Sequence, residues 1–95
     1  MRRAARADAN QAEVIRALRQ IGATVLPMHA LGKGAPDVLA GYRGVNYALE
    51  IKDGSKPPSA RALTPDEADW HADWRGQVAI VESVADALRV IGAER

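Results

Sequence analysis

The sequence predicts a single α/β domain whose elements follow the order αβββαβα. Towards both ends of the chain, apolar residues recur at helical spacing, whereas several segments between them alternate apolar and polar residues as strands do. Prolines, glycines and capping residues separate these segments. A chain of 95 residues is long enough for one modest core, so we expect one domain over residues 1–95, with a loose basic arm over residues 1–9.

Three helices are predicted from their apolar stripes and their start signals. For the first, Asn10 is the expected N-cap, Glu13 occupies the capping-box position, and Gly22 ends the helix. The other two helices are predicted to begin after Thr64 and Ser83, and the earlier of them to end near Arg75.

Four short runs of apolar and β-branched residues are predicted strands. The second and third are expected to form a hairpin closed by residues 43–46. A loop rich in proline and basic residues, DGSKPPSARA, follows the third strand and is expected to be flexible. The predicted strands span residues 23–28, 37–42, 47–52 and 77–81.

The predicted hairpin gathers three charged side chains. We expect it to close with Tyr42 opposite Tyr47. In that register Asp37 lies opposite Lys52, and Glu50 lies on the diagonal. Because side chains alternate along a strand, all three emerge on the same face, and a slip of one residue would scatter them.

Two acids and a lysine in one place suit metal-assisted cleavage of a phosphodiester. Carboxylates hold Mg²⁺ through oxygen, and a nearby ammonium group can orient water or stabilise the developing anion. The alternative is that Asp37 and Lys52 form an ordinary cross-strand ion pair at the surface. The spacing of the residues leaves both interpretations open.

The order of these motifs resembles a known family. Pro36-Asp37, followed thirteen positions later by Glu50-Ile51-Lys52, is similar to the PD-(D/E)XK nuclease signature, and the wider context resembles the small VRR-NUC branch. The resemblance implies a restriction-endonuclease-like αβββαβα core, in which helices flank a mixed four-stranded sheet. It also implies a DNA endonuclease that depends on Mg²⁺ or Mn²⁺.

The resemblance assigns roles to individual residues. Asp37 and Glu50 would bind the divalent metal, and the carbonyl group of Ile51 would add a ligand. Lys52 would assist the attacking water. Glu13 matches the acid that many members carry on the first helix, where it would complete the site, but a capping-box role for it remains equally open.

One position departs from the VRR-NUC pattern. Members usually have glutamine four residues after the leucine that precedes the second helix, and here Leu63 leads to Glu67. An amide can donate a hydrogen bond, whereas an ionised carboxylate cannot. Three roles remain open for Glu67: a further site acid, a partner of Lys52, or a cap of its own helix. His29 is a candidate for contact with a phosphate or the metal surroundings, or a surface residue.

Charge is unevenly distributed along the chain. Residues 1–61 carry ten Lys/Arg and five Asp/Glu, giving +5, and residues 62–95 carry three and seven, giving −4. A basic front part suits a polyanion such as DNA. With no base-reading motif, recognition of DNA by shape is expected. The candidate contacts to DNA phosphates are Lys33, Lys56, Arg61 and, more weakly, Arg43.

The resulting prediction is a metal-dependent endonuclease for branched DNA, such as a four-way (Holliday) junction or a flap, acting as a homodimer in replication, recombination or DNA repair. An inactive DNA-binding module and an interaction protein without DNA affinity are the alternatives. The absence of cysteine excludes disulfides and thiolate metal sites, and no apolar run reaches membrane-spanning length. We expect a cytoplasmic location in a bacterial or phage-infected cell.

Overall fold

The computed structural model describes residues 9–93, and the predicted basic arm lies outside them apart from Ala9. A 3₁₀ turn at His29–Leu31 follows the first strand. One short helix, α2, lies in the loop that was expected to be flexible. The remaining elements follow the predicted order. Their bounds are α1 Gln11–Gln20, β1 Thr24–Pro27, β2 Val38–Tyr42, β3 Val45–Ile51, α2 Pro58–Arg61, α3 Pro65–Asp73, β4 Ala79–Val81 and α4 Val84–Val90.

The four strands form one mixed sheet in the order β1-β2-β3-β4. The first two pairs are antiparallel, whereas β3 and β4 run parallel. A parallel pair requires a crossover connection, which the segment containing α2 and α3 supplies. Helices flank this mixed sheet, so the predicted fold class is confirmed.

One face of the sheet forms the hydrophobic core with α1 and α4, which also contact each other. Alternation along the strands sends every second residue to this face. The buried apolar side chains come from both helices, all three of the later strands and two residues just outside these elements, namely Val14, Leu18, Ala23, Val38, Ala40, Leu49, Ile51, Val81, Ala87 and Ile91. Burial of this face leaves the opposite face available for polar residues.

The hairpin between β2 and β3 is tighter than predicted. Its turn consists of Arg43 and Gly44 alone, with φ angles of 52° and 81°. Positive φ at both central residues is what a two-residue hairpin turn with the twist of the strands requires. Tyr42 therefore pairs with Val45, and the predicted pairing with Tyr47 is wrong by two residues.

The shift by two residues preserves the faces of the strands. Side-chain direction has a period of two, so an even shift changes partners but not sides. Val38 pairs with Leu49, and the next position along each strand sets Asp37 across from Glu50 rather than from Lys52. The prediction that the three charged side chains share one face is therefore retained, although the predicted cross-strand partners are wrong.

The start of α1 also differs from the prediction. Asn10 occupies the N-cap position, but its side chain makes no capping hydrogen bond. Instead, its amide nitrogen donates to the carbonyl oxygen of Lys52 at 3.0 Å and lies 3.5 Å from that of Glu82. These carbonyl groups belong to the residues just after β3 and β4, and the two N–H groups of the amide can donate to both. Asn10 thus ties α1 to the ends of two strands.

The loop before β2 rests on the start of α3. Gly32, Lys33 and Gly34 have φ angles of 72°, 57° and 82°. At Gly34, a β-carbon would lie 2.2 Å from the backbone oxygen of Asp66. Only glycine allows this approach, so the contact fixes the loop relative to α3.

We expect Gly34→Ala to destabilise the protein more than Gly44→Ala. Both glycines have nearly the same positive φ, 82° and 81°, so both alanines incur the same backbone strain of about 1–2 kcal/mol. A β-carbon at Gly44 meets no atom within 4 Å, whereas one at Gly34 overlaps backbone. The overlap should cost about 1–3 kcal/mol more. Urea denaturation measures both values, and equal losses would show that α3 does not pack as described.

Candidate active site

Two carboxylates lie side by side where the hairpin strands end. Asp37 immediately precedes β2, and Glu50 is the second-last residue of β3. The Oδ2 atom of Asp37 accepts a hydrogen bond of 2.7 Å from the backbone amide of Ile51. Glu50 is only 2% exposed, and its buried Oε1 atom receives no hydrogen bond from residues 9–93. One acid is therefore anchored, and its neighbour has an unsatisfied buried oxygen.

Lys52 lies beside these acids and is 7% exposed. Its Nζ atom is 2.7 Å from Oε1 of Glu67 and 3.7 Å from Oε2 of Glu50. A buried ammonium group requires negative partners to offset the loss of hydration. Glu67 on α3 supplies the nearest negative charge, and the Glu50 carboxyl group on β3 supplies a further oxygen.

Glu67 performs two of its predicted roles at once. Its Oε1 atom accepts from the backbone amide of Thr64 at 2.9 Å, and its own amide donates to the Thr64 hydroxyl at 3.2 Å. These two hydrogen bonds form a capping box at the start of α3. The same Oε1 atom also contacts Lys52, so capping and pairing are compatible.

Burial, together with the negative charges of Asp37 and Glu67, raises the pKa of Glu50 to about 9. Burial likewise raises the pKa of Asp37, although the hydrogen bond from the Ile51 amide opposes that rise. For Glu67, burial works to raise the pKa, but hydrogen bonds from Lys52 and Thr64 outweigh it and lower the pKa. Without a cation, the protein therefore holds a proton on Glu50 at neutral pH.

The charged residues line a cleft of about 440 Å³. Among residues 9–93, the four carboxylates and two ammonium groups that line it sum to a formal charge of −2 with the histidine neutral. A phosphate approaching this cleft would meet repulsion unless protons or a cation offset the charge. The ionisable residues that line the cleft are Asp37, Glu50, Asp66, Glu67, Lys33, Lys52 and His29.

The donor set fits a hard divalent cation. Mg²⁺ is commonly bound through one or two carboxylates, with water and substrate phosphates as further ligands. Asp37 and Glu50 offer those carboxylates, and Glu50 Oε1 is an unsatisfied acceptor. The Ile51 carbonyl group lies on the same side of its strand as the amide that contacts Asp37. Within residues 9–93, no three Asp, Glu, His or Cys side chains form a ready-made metal cluster, so an all-protein cage is not offered.

The structure does not bring Glu13 into this cleft. Glu13 is exposed on α1 and lines a separate cleft with Asp53 and Glu82. Val14 and Leu18 turn towards the core, which rotates the neighbouring Glu13 towards solvent. The predicted capping box at this helix is wrong, because the Asn10 side chain makes no capping hydrogen bond.

The predicted phosphate contacts divide by location. Lys33 and His29 line the cleft. Lys56 is exposed in the loop after β3. Arg61 donates to the Lys56 carbonyl at 2.7 Å and pairs with Glu82 at 3.1 Å. It therefore connects this loop to the residue that follows β4. Arg43 lies over the Tyr42 ring at the turn, which is the opposite end of the hairpin from the acids.

Asp66 is a lining residue that the sequence alone did not single out. Its signal was the tandem Asp66-Glu67 in the first turn of α3, where both acids favour a helix start and only one completes the capping box. The contact between its backbone and Gly34 brings it to the cleft. This long-range contact could not be inferred from local patterns.

Among solved structures, one described as a VRR_NUC domain is similar to this chain, with a TM-score of 0.59 and 26% sequence identity. The similarity covers 86% of this chain and 89% of that chain. It confirms the predicted resemblance, and the protein has a nuclease-family fold. No protein-family model and no curated protein matches the sequence. None of the helices within residues 9–93 has the length and apolar character of a membrane span.

We expect the metal-free protein to lose about 2–3 kcal/mol of its free energy of unfolding between about pH 5.5 and about pH 8. Below the ordinary pKa of 4.5, the folded and unfolded states both hold the Glu50 proton, so the full stability is present. Between 4.5 and about 9 only the folded state retains it, and rising pH therefore favours unfolding. Urea denaturation across this range measures the effect.

Glu50→Gln should flatten this dependence, because the amide does not titrate in either state. Glu13→Gln is the matched control, since that carboxylate is exposed on α1, and it should keep the wild-type dependence. A Glu50→Gln variant that loses stability with pH as steeply as the wild type would contradict the assignment of the retained proton to Glu50.

Proposed function

We propose that the protein is a divalent-metal-dependent endonuclease that hydrolyses phosphodiester bonds in DNA. The observation that carries this proposal is the desolvated carboxylate pair of Asp37 and Glu50 beside the buried ammonium group of Lys52. With a proton on Glu50, the three remaining carboxylates and two ammonium groups contributed by residues 9–93 still give the cleft a formal charge of −1, which repels a phosphate unless a cation joins it. Similarity to a VRR_NUC domain supports the same reaction class.

Asp37, Glu50 and the Ile51 carbonyl group would hold Mg²⁺ or Mn²⁺. When bound, such an ion activates water and offsets the charge that develops on the phosphate. Asp37 enters this role already oriented, because it lines the cleft and the Ile51 amide fixes its Oδ2 atom. Glu50 would have to lose its proton to serve as a ligand, so metal binding should tighten as pH rises.

Lys52 is proposed to orient the attacking water and to stabilise negative charge on the phosphate oxygens. Its burial excludes bulk water around the ammonium group, which strengthens its electrostatic effect on a nearby phosphate. Lys33, which lines the cleft from the loop before β2, is proposed to hold the DNA backbone. His29 also lines the cleft and is a second candidate for that contact.

We propose branched DNA, such as a four-way junction or a flap, as the substrate, and a homodimer as the acting form. The VRR-NUC resemblance supports both, and two symmetric sites suit one cut on each of two strands. Lys56, exposed in the loop after β3, is the further candidate for backbone contact. Arg61 is left out of this set because Glu82 pairs with it, as is Arg43, which lies at the far end of the hairpin.

One observation favours an inactive DNA-binding module as a second candidate. Lys52 is held at 2.7 Å by a glutamate, at a position where the VRR-NUC pattern has an uncharged glutamine. If this ion pair kept the ammonium group from the phosphate, the protein would bind metal and DNA without cutting. Calorimetry with Mn²⁺ and a cleavage assay on the same preparation separate the two candidates.

We expect the protein to cut a labelled four-way junction in Mg²⁺ or Mn²⁺, and to cut a linear duplex of the same sequence more slowly. Asp37→Asn should reduce cleavage by about 100-fold or more, because the amide keeps an acceptor for Ile51 but is a weaker metal ligand. Gel analysis of products measures both. Absence of metal-dependent product at any protein concentration would refute the proposed function.

Glu13→Gln is the control for that experiment. Because Glu13 lines a different cleft, the variant should cut within about twofold of the wild-type rate. A loss as large as that of Asp37→Asn would mean that the first-helix acid does join the site when DNA and metal bind.

A further inference from the structure

A single oxygen atom links the start of α3 to Lys52. The Oε1 atom of Glu67 accepts from the Thr64 amide at 2.9 Å and from Lys52 Nζ at 2.7 Å. Neither contact requires Oε2. The side chain of Glu67 is partly exposed, at 19%, whereas that of Lys52 is 9% exposed, so the lysine is the more enclosed partner.

The next acid that faces Lys52 is Glu50, with its Oε2 atom 3.7 Å from Nζ. A buried ammonium group that loses its nearest partner moves towards the next carboxyl oxygen within reach, because a buried charge without a hydrogen-bond acceptor is costly. Without Glu67, Lys52 would therefore close on Glu50. That contact would occupy an oxygen that the proposed function reserves for the cation.

We infer that Glu67 is a positioning residue, whose Oε1 atom holds the Lys52 ammonium group away from Glu50 and directed to the cleft. The catalytic role of Lys52 rests on the proposed function, whereas the positioning of Lys52 by Glu67 does not. Glu67 is itself fixed on two sides. Its backbone amide donates to the Thr64 hydroxyl, and the peptide before it contacts Gly34.

The geometry requires an oxygen acceptor at position 67 and does not require a negative charge there. Because both hydrogen bonds converge on Oε1, the amide oxygen of glutamine could accept both of them. A side chain of similar length without that oxygen, such as methionine, offers only a weakly accepting sulfur. Glu67→Gln and Glu67→Met remove the same charge, so their difference isolates the oxygen atom.

The experiment compares three variants of the full chain in the junction cleavage assay at saturating metal. Glu67→Gln should retain kcat within about threefold, whereas Glu67→Met should lower kcat by about 100-fold with little change in KM, as expected for a misplaced group. Thr64→Ala removes the hydroxyl half of the capping box and leaves Oε1 in place. It should lower the melting temperature but reduce kcat far less than Glu67→Met does.

A second readout is independent of cleavage. In protein labelled with ¹⁵N-lysine, without metal or DNA, the buried Lys52 ammonium group should give a slowly exchanging signal, assigned by its loss in Lys52→Ala. Glu67→Gln should keep that signal near its wild-type position, and Glu67→Met should shift or abolish it. An unmoved signal in Glu67→Met would overturn the inference.

The two readouts also separate this inference from the proposed function. If the wild type cuts no DNA but the ammonium signal responds to Glu67→Met and not to Glu67→Gln, the proposed function fails and the hold on Lys52 stands. If Glu67→Gln loses kcat to the same extent as Glu67→Met, the negative charge rather than the oxygen matters, and the inference is overturned.

Discussion

The constraint on which the site depends is the burial of the Glu50 carboxylate next to that of Asp37. Burial and mutual repulsion raise the pKa of Glu50 to about 9, which means that the pair cannot hold two negative charges at neutral pH without help. A proton offsets one charge in the metal-free protein, and a cation could do so more effectively. The same desolvation explains why Lys52 is buried beside them, since an ammonium group inside the protein requires nearby anions.

The fold supports this costly arrangement by separating two faces of one sheet. Alternation along β2 and β3 directs apolar side chains towards α1 and α4, and the same alternation directs the charged side chains to the other face. At the hairpin ends, strand pairing stops, and Asp37 satisfies the Ile51 amide that lacks a strand partner there. The crossover between β3 and β4 then brings α3 over the charged face, where Glu67 forms an ion pair with Lys52.

The sequence predicted the shared face of the charged trio because that face depends on alternation, which is a local property, whereas the mixed sheet was predicted from the resemblance to the VRR-NUC family. The register was predicted wrongly, since it depends on turn geometry, and Arg43 and Gly44 adopt a positive φ that composition alone did not specify. The position of Glu13 depends on how α1 rotates against the core, which no local pattern determines. For Glu67, helix capping and pairing with Lys52 were predicted as alternatives, whereas its Oε1 atom does both.

The central claim is that a divalent cation is held between Asp37 and Glu50. Crystals soaked in Mn²⁺ and measured at a wavelength where manganese scatters anomalously test it directly. We expect one strong peak at about 2.1–2.3 Å from a carboxylate oxygen of each acid, with the Lys52 ammonium group still on Glu67. A peak in the separate cleft near Glu13, or no peak at the paired acids at saturating Mn²⁺, would contradict the claim.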